Sequence, residues 1–287
     1  SEEMMRIRKA DIPYEEPRAV DLEECFRELD QLVGLESVKK EIRTLADSIF
    51  TEQERARMEG RQPEIPMFHY QFLGNPGTGK TTVARIMGNI FHSLGLLPTN
   101  KLLEVKPSDL VSGYVGHTGA QTRKMVKRGL GGVFFIDEAY GLHDGGYGEK
   151  DATPELLTLL NDYKGKMVAI VAGYPREMEA WKATNAGIER RFEKKIYFED
   201  YSAGELAVIF ENLCRKKGMK ILDTARDEMH RYFDKLVRRK SSNFGNAAEA
   251  VKYFSQVRVN QGARLRRQGN YNLEDLYVFT FEDMIIR

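Results

Sequence analysis

The chain has 287 residues, with 44 Lys+Arg against 43 Asp+Glu, 41% hydrophobic residues and 30% charged ones. At about 150 residues per structural unit the length suggests two units, and the composition is that of a soluble globular protein. The net charge of +1 argues against a broadly basic nucleic-acid binder and against an acidic tail protein, while leaving room for a local basic groove.

Cys25 and Cys214 form neither a disulfide framework nor a CxxC metal signature, and two plain thiols in a long chain fit a reducing, cytoplasmic setting. The histidines are scattered, so no local metal-ligand pair exists. No apolar run approaches the ~18–20 residues that cross a bilayer. The charged N-terminus lacks a signal-peptide core. It opens on Ser1 rather than Met, compatible with one domain of a longer protein.

In chain order, residues 1–20 read as a charged leader or linker containing Pro13 and Pro17. From Leu22 to about Gly60 the apolar spacing is helical, with Leu32, Leu35, Val38, Ile42, Leu45 and Ile49 recurring every three or four residues. Strands are expected at 69–73, 102–105, 133–136, 167–172 and 195–198. These runs are apolar without polar alternation, as in strands covered on both faces. Helical stretches separate most of them, as parallel crossovers require. After Tyr201 the strands stop, and helices are expected over 203–217, 223–240 and 246–267. Ser202 with Glu205 is a helix-capping pair that marks the junction. The expected fold is therefore α/β, a five-stranded parallel sheet flanked by helices over residues 21–201, followed by a small all-helical domain over 202–287. The basic clusters Arg238-Arg239-Lys240 and Arg264–Arg267 read as solvated helix faces, with partner docking as the alternative.

Gly74-Asn75-Pro76-Gly77-Thr78-Gly79-Lys80-Thr81 fits GxxxxGK[ST] and lies between a strand and the helix that begins near Thr82. Glycines let backbone N–H groups turn inward around phosphate oxygens, and a helix N-terminus adds positive partial charge. Lys80 can reach the β- and γ-phosphates, and the Thr81 hydroxyl can ligate Mg²⁺. The apolar strand 133–136 pushes Asp137 and Glu138 out at its C-terminal edge, where ligands of open α/β sheets sit. Asp137 would hold Mg²⁺ and Glu138 would polarise the attacking water. No NKxD follows a later strand, which argues against a signalling GTPase.

GNPGTGKTT, the GYVGHT segment (113–118), GGVFFIDEAY and VAGY together resemble the AAA+ ATPases of the CbbX/CfqX group, which includes red-type Rubisco activase, the stage V sporulation protein K ATPases and the type VII secretion ATPase core. The similarity runs from about Leu29 to Arg267. It implies a P-loop AAA+ domain with a helical lid, ATP and Mg²⁺ as ligands, a homo-oligomeric ring, usually a hexamer, with ATP at each subunit boundary, and remodelling of a protein substrate through a central pore. On this resemblance Tyr114, with Val115, matches the aromatic pore loop, while a plain loop tyrosine is the alternative. His117 and the Gly145-Gly146-Tyr147-Gly148 stretch are pore elements or simple loop. Arg191, with Arg190 beside it, matches the arginines that reach a neighbour's γ-phosphate; a surface ion pair is the alternative. Val33 and Gly34 lie in the turn that packs near adenine.

Two positions depart from the pattern. The strand ending at Ala172-Gly173-Tyr174 lacks the usual Asn or Thr that orients water. The third lid helix begins Gly245-Asn246-Ala247-Ala248, with Ala248 where an Arg is expected and Val251 where a second one is; Lys252 is an out-of-phase substitute. Two functions follow. One is a ring-forming, ATP-driven protein remodeller without membrane or nucleic-acid partners. The other is a weakly hydrolysing, nucleotide-dependent scaffold. A DNA-processing ATPase is disfavoured by the neutral charge.

Overall fold

The structure, a computed structural model, describes residues 21–65, 68–112, 117–143, 152–240 and 244–286. The leader 1–20, Tyr114, Val115 and the stretch 145–148 lie outside the described residues.

The helical pattern expected from Leu22 to Gly60 is two helices, α1 (Leu22–Asp30) and α2 (Glu36–Glu59). Asp21 caps α1 by accepting from Glu23 N–H at 3.3 Å. Gly34 and Leu35 then both take positive φ, +61° and +60°. That conformation cannot continue a right-handed helix, so the chain turns before α2 starts. Apolar periodicity ran on through the turn because both helices bury the same side against one core. α2 stops at Gly60, a left-handed cap.

The α/β part then runs β1 (Tyr70–Gly74), α3 (Lys80–Ser93), β2 (Leu102–Val105), α4 (Pro107–Leu110), α5 (Thr118–Gly129), β3 (Val133–Ile136), α6 (Thr153–Asp162), β4 (Val168–Gly173), α7 (Pro175–Thr184), α8 (Ala186–Arg191) and β5 (Lys194–Phe198). All strands are parallel, in the order β2-β3-β4-β1-β5. Successive side chains alternate between two cores. Tyr70, Phe72, Phe135 and Ile170 face α1, α2 and α3. Leu73, Phe134, Ile136 and Val171 face the opposite layer, with Leu156, Trp181 and Phe192. Each fully buried side chain of this size stabilises the fold by roughly 1.5–3 kcal/mol relative to exposure, which is why the strands carry so few polar residues.

Past Phe198 the chain enters α9 (Ala203–Lys216), β6 (Lys220–Ile221), α10 (Asp223–Arg238), α11 (Ala247–Gln268), β7 (Val278–Phe279) and α12 (Phe281–Met284). Ser202 Oγ accepts from Glu205 N–H while Glu205 Oε2 accepts from Ser202 N–H at 2.7 Å, closing a capping box at the start of α9. A third core gathers Phe210, Phe233, Tyr253 and Phe279, with Tyr232 stacked on Tyr253 at 3.8 Å. The helical domain also holds a short parallel pair, β6 with β7, which two-residue strands could not announce by periodicity. In the expected solvated face at the end of α11, Arg266 and Arg267 are exposed, but Arg264 is not. Arg264 is buried and donates from Nε to Asp283 Oδ1 at 2.8 Å, with Asp283 itself fully enclosed. The thiols of Cys25 and Cys214 are buried in different cores. Among the described residues no helix is long and apolar enough to cross a membrane.

Candidate functional site

β1 lies between β4 and β5, so the loop that leaves it at Gly74 emerges from mid-sheet. Gly77 and Gly79 take φ of +73° and +94°, which a residue with a Cβ rarely adopts. α3 opens at Lys80 with no side-chain cap, leaving its first N–H groups for another partner. Lys80 is buried and donates to Gly74 O at 2.9 Å and to Asn75 O at 2.7 Å. Burial lowers its pKa, and the Asp137 and Glu138 carboxylates oppose that shift.

A cleft of about 260 Å³ joins these parts, lined by Pro76, Gly77, Gly79, Lys80, Thr81 and Thr82 on one side and by Asp137, Glu138 and Tyr174 on the other. Two predicted loop residues turn their side chains elsewhere. Thr78 is buried and donates its hydroxyl to Asn75 O at 2.8 Å, and Asn75 Nδ2 donates to Asp200 Oδ1 at 2.8 Å. Both can offer a ligand only backbone groups. Asp137 is fixed at the end of β3 by its own N–H to Val105 O at 3.0 Å, and its Oδ1 accepts from Glu138 N–H at 3.0 Å. Glu138 is exposed and sits at φ +52°, ψ +43°, a left-handed conformation unusual for a glutamate. Thr81 and Asp137 offer hard oxygen donors in one cleft, the chemistry that suits Mg²⁺.

The end of β4, which lacks the usual Asn or Thr, leads into Tyr174, a residue the sequence did not single out. It lines the cleft, and its ring lies 6.1 Å from that of Tyr140. Burial, and then the Glu138 carboxylate, raise the pKa of both phenols, so both remain protonated donors beside Glu138. The only sequence signal was its place after the strand. The turn with Val33 and Gly34 lies beside the site: Leu35 Cδ1 is 3.5 Å from where a Cβ on Gly79 would stand, and Gly34 packs against Glu205 and Tyr201.

Arg190 and Arg191 are not brought to this cleft. They line a separate cleft of about 700 Å³ with His69, Asn161 and Lys164. Arg191 donates from Nη2 to Asn161 Oδ1 at 3.4 Å, and its Nε is buried with no partner among the described residues. His69 is buried, and its Nδ1 accepts from Ala169 N–H at 3.0 Å. Burial, then the Arg191 cation, push its pKa down to about 4. In the lid, Ala248 and Val251 are exposed, and Lys252 pairs with Glu249 at 2.9 Å on the helix surface. Lys252 is thus paired on the exposed face of α11.

Residues 70–200 match the family model of the ATPase family associated with various cellular activities (AAA), and residues 202–286 match the AAA lid domain. The chain is 34% identical over 272 residues to stage V sporulation protein K of Bacillus subtilis (strain 168), covering 93% of this chain and 83% of that one. It is 36% identical over 247 residues to protein CbbX of Cereibacter sphaeroides, covering 84% and 79%. With the chloroplastic ribulose bisphosphate carboxylase/oxygenase activase of Cyanidioschyzon merolae it shares 31% over 275 residues, covering 93% and 92%. Among solved structures, the Thermotoga maritima RuvB Holliday junction branch migration motor shares the fold, with a TM-score of 0.57 at 20% identity over 89% of this chain and 69% of that one. With the phosphate loop, the acidic strand end and the lid in this arrangement, the chain belongs to the AAA ATPase family, among the relatives of CbbX, CfxQ and stage V sporulation protein K.

Proposed function

We propose that this chain hydrolyses ATP in a homo-oligomeric ring, a hexamer on the family pattern, and uses the cycle to remodel a protein substrate in the cytoplasm. The observation that carries this reading is the split site: phosphate loop, Asp137 and Glu138 share one cleft, while Arg191 lies in another. On this reading a second copy supplies the arginine that the cleft of the first lacks.

Loop N–H groups and the N-terminus of α3 bind the phosphates, and Lys80 exchanges its loop carbonyls for phosphate oxygens. Mg²⁺, held by Thr81 and Asp137, would supply charge neutralisation between the phosphates. Glu138 takes the proton of the attacking water, and the Tyr174 hydroxyl helps orient that water. Arg191 from one subunit, with Arg190 beside it, offsets negative charge developing in the neighbour's site. Val33 and Gly34 shape the adenine side. Residues 21–201 form the nucleotide-binding domain, 202–287 the lid, and Tyr114 with Val115 the pore contact. The names of the relatives support a protein as substrate, since one of them is an activase of an enzyme.

Steady-state ATPase measured across protein concentration tests the reading. The specific rate is expected to rise as subunits associate, and Arg191→Ala to lower it about a thousandfold, as for other arginines acting in trans. A rate independent of concentration, or one indifferent to Arg191, refutes the ring motor. The second reading, a weakly hydrolysing scaffold, is favoured by Ala248, Val251 and the engaged Lys252. It predicts assembly without turnover.

A further inference from the structure

The lid touches the phosphate loop although it lacks the arginine expected to do so. Asn246, just before α11, is completely buried. Its Nδ2 donates to Pro76 O at 3.2 Å, to Asp200 Oδ1 at 2.9 Å and to Phe244 O at 3.0 Å, while its Oδ1 accepts from Tyr201 N–H at 2.8 Å. Beside it, Ala247 N–H donates to Gly77 O at 3.2 Å. Gly245 O lies 2.3 Å from where a Cβ on Gly77 would stand. Only a loop glycine allows so close an approach of two backbones.

Asp200, in the segment between β5 and α9, collects the same three parts. It accepts from Asn75 of the loop, from Asn246 of the lid and, at 3.0 Å, from Lys240 Nζ just past α10. Burial works against its charge, but these hydrogen bonds hold its carboxyl below the usual range.

Each loop carbonyl from Gly74 to Thr78 thereby has a donor. Lys80 serves Gly74 and Asn75, Asn246 serves Pro76, Ala247 serves Gly77, and the Tyr201 hydroxyl reaches Thr78 O at 3.5 Å. Three of these five are held by the lid or its connecting segment. The Pro76, Gly77 and Thr78 carbonyls are held from the lid side, so a shift of the lid pulls on the peptides that carry the Gly77, Thr78 and Gly79 N–H groups of the phosphate loop. Asn246 itself sits at φ +51°, ψ −122°, a costly backbone conformation that its dense bonding holds in place.

We propose that Asn246 is a positioning residue that ties the lid to the outer, carbonyl side of the phosphate loop, so that nucleotide occupancy reaches the lid through the loop rather than through a lid arginine. This rests on the ATPase reading above.

The test is MgADP binding to the full chain, followed with a fluorescent ADP analogue, together with hydrogen exchange over residues 76–80 and 244–268. In the wild type, MgADP is expected to slow exchange in both segments. Asn246→Gly removes the side chain and relieves the backbone. It is expected to weaken MgADP about tenfold, within the range common for coupled sites, and to leave the loop protected by nucleotide while the lid segment no longer follows. Asp200→Asn keeps the size and removes the charge, and the same loss of lid protection is expected from it should Asn246→Gly not fold. Lid protection that still follows MgADP in a folded variant overturns the proposal whatever the affinity. So does a wild type that binds MgADP without protecting the lid. A wild type that binds no MgADP refutes the ATPase reading itself.

Discussion

Glu138 occupies a left-handed backbone position that disfavours every side chain beyond glycine, asparagine and aspartate. The conformation aims its carboxylate into the cleft next to Tyr140 and Tyr174, and the fold bears the cost. Glu138→Asn is therefore expected to stabilise the chain by about 0.5–1 kcal/mol in thermal unfolding while lowering ATP turnover by a factor of about 10² or more. Loss of turnover with no gain in stability would show that the glutamate is unstrained.

His69 gives a second prediction at this scale. In the folded chain it gives up its proton at about pH 4, whereas an unfolded histidine holds its proton up to about 6.5. Between those values the unfolded chain binds more protons, so stability falls as pH drops from 6.5 to 4 and levels off below. The full span is worth about 3 kcal/mol. Urea unfolding at pH 7 and pH 4.5 measures the difference, and His69→Leu is expected to flatten it. An unchanged slope in that variant would assign the acid sensitivity to other groups.

Among the elements, those that span several apolar residues were legible: β1 to β5 and α9 to α11 appear within a residue or two of where periodicity placed them. The phosphate loop and the acidic strand end were equally legible, because each is a contiguous stretch whose chemistry is local. What escaped the sequence depends on residues far apart in the chain. Asn246 meets Pro76 across 170 positions, and nothing in Gly245-Asn246-Ala247 indicates that meeting. The break between α1 and α2 was hidden because the turn at Gly34 interrupts the backbone without interrupting the apolar pattern.

Arg264 belongs with the hidden features, since a run of arginines at the end of α11 looks solvated until Asp283 of α12 folds over it. Asp283 also accepts from Thr280 N–H at 2.9 Å, so one carboxylate caps α12 and neutralises Arg264. Asp283→Ala would leave a buried cation unpaired and is expected to cost about 3–5 kcal/mol in urea unfolding. A loss below about 1 kcal/mol would mean that the pair is effectively solvated.

Across the whole molecule, the β2-β3-β4-β1-β5 order places the phosphate loop between the strand that leads to Tyr174 and the strand that leads into the lid. One sheet position thus adjoins both the residues read as hydrolytic and the segment that leads into the lid. The second cleft, with Arg190 and Arg191, lies apart from that centre, which is why the proposed activity depends on assembly and why the Arg191→Ala measurement belongs to the oligomer and not to the isolated chain. The two buried sulfur atoms have a practical consequence for watching such an assembly. Burial raises the pKa of Cys25 and pushes that of Cys214 up to about 12, so at neutral pH neither supplies the thiolate that maleimide chemistry requires. Cysteines introduced on the surface of the lid and of the nucleotide domain can therefore carry a dye pair against the native background, and the distance between them tests whether the lid shifts when nucleotide is added.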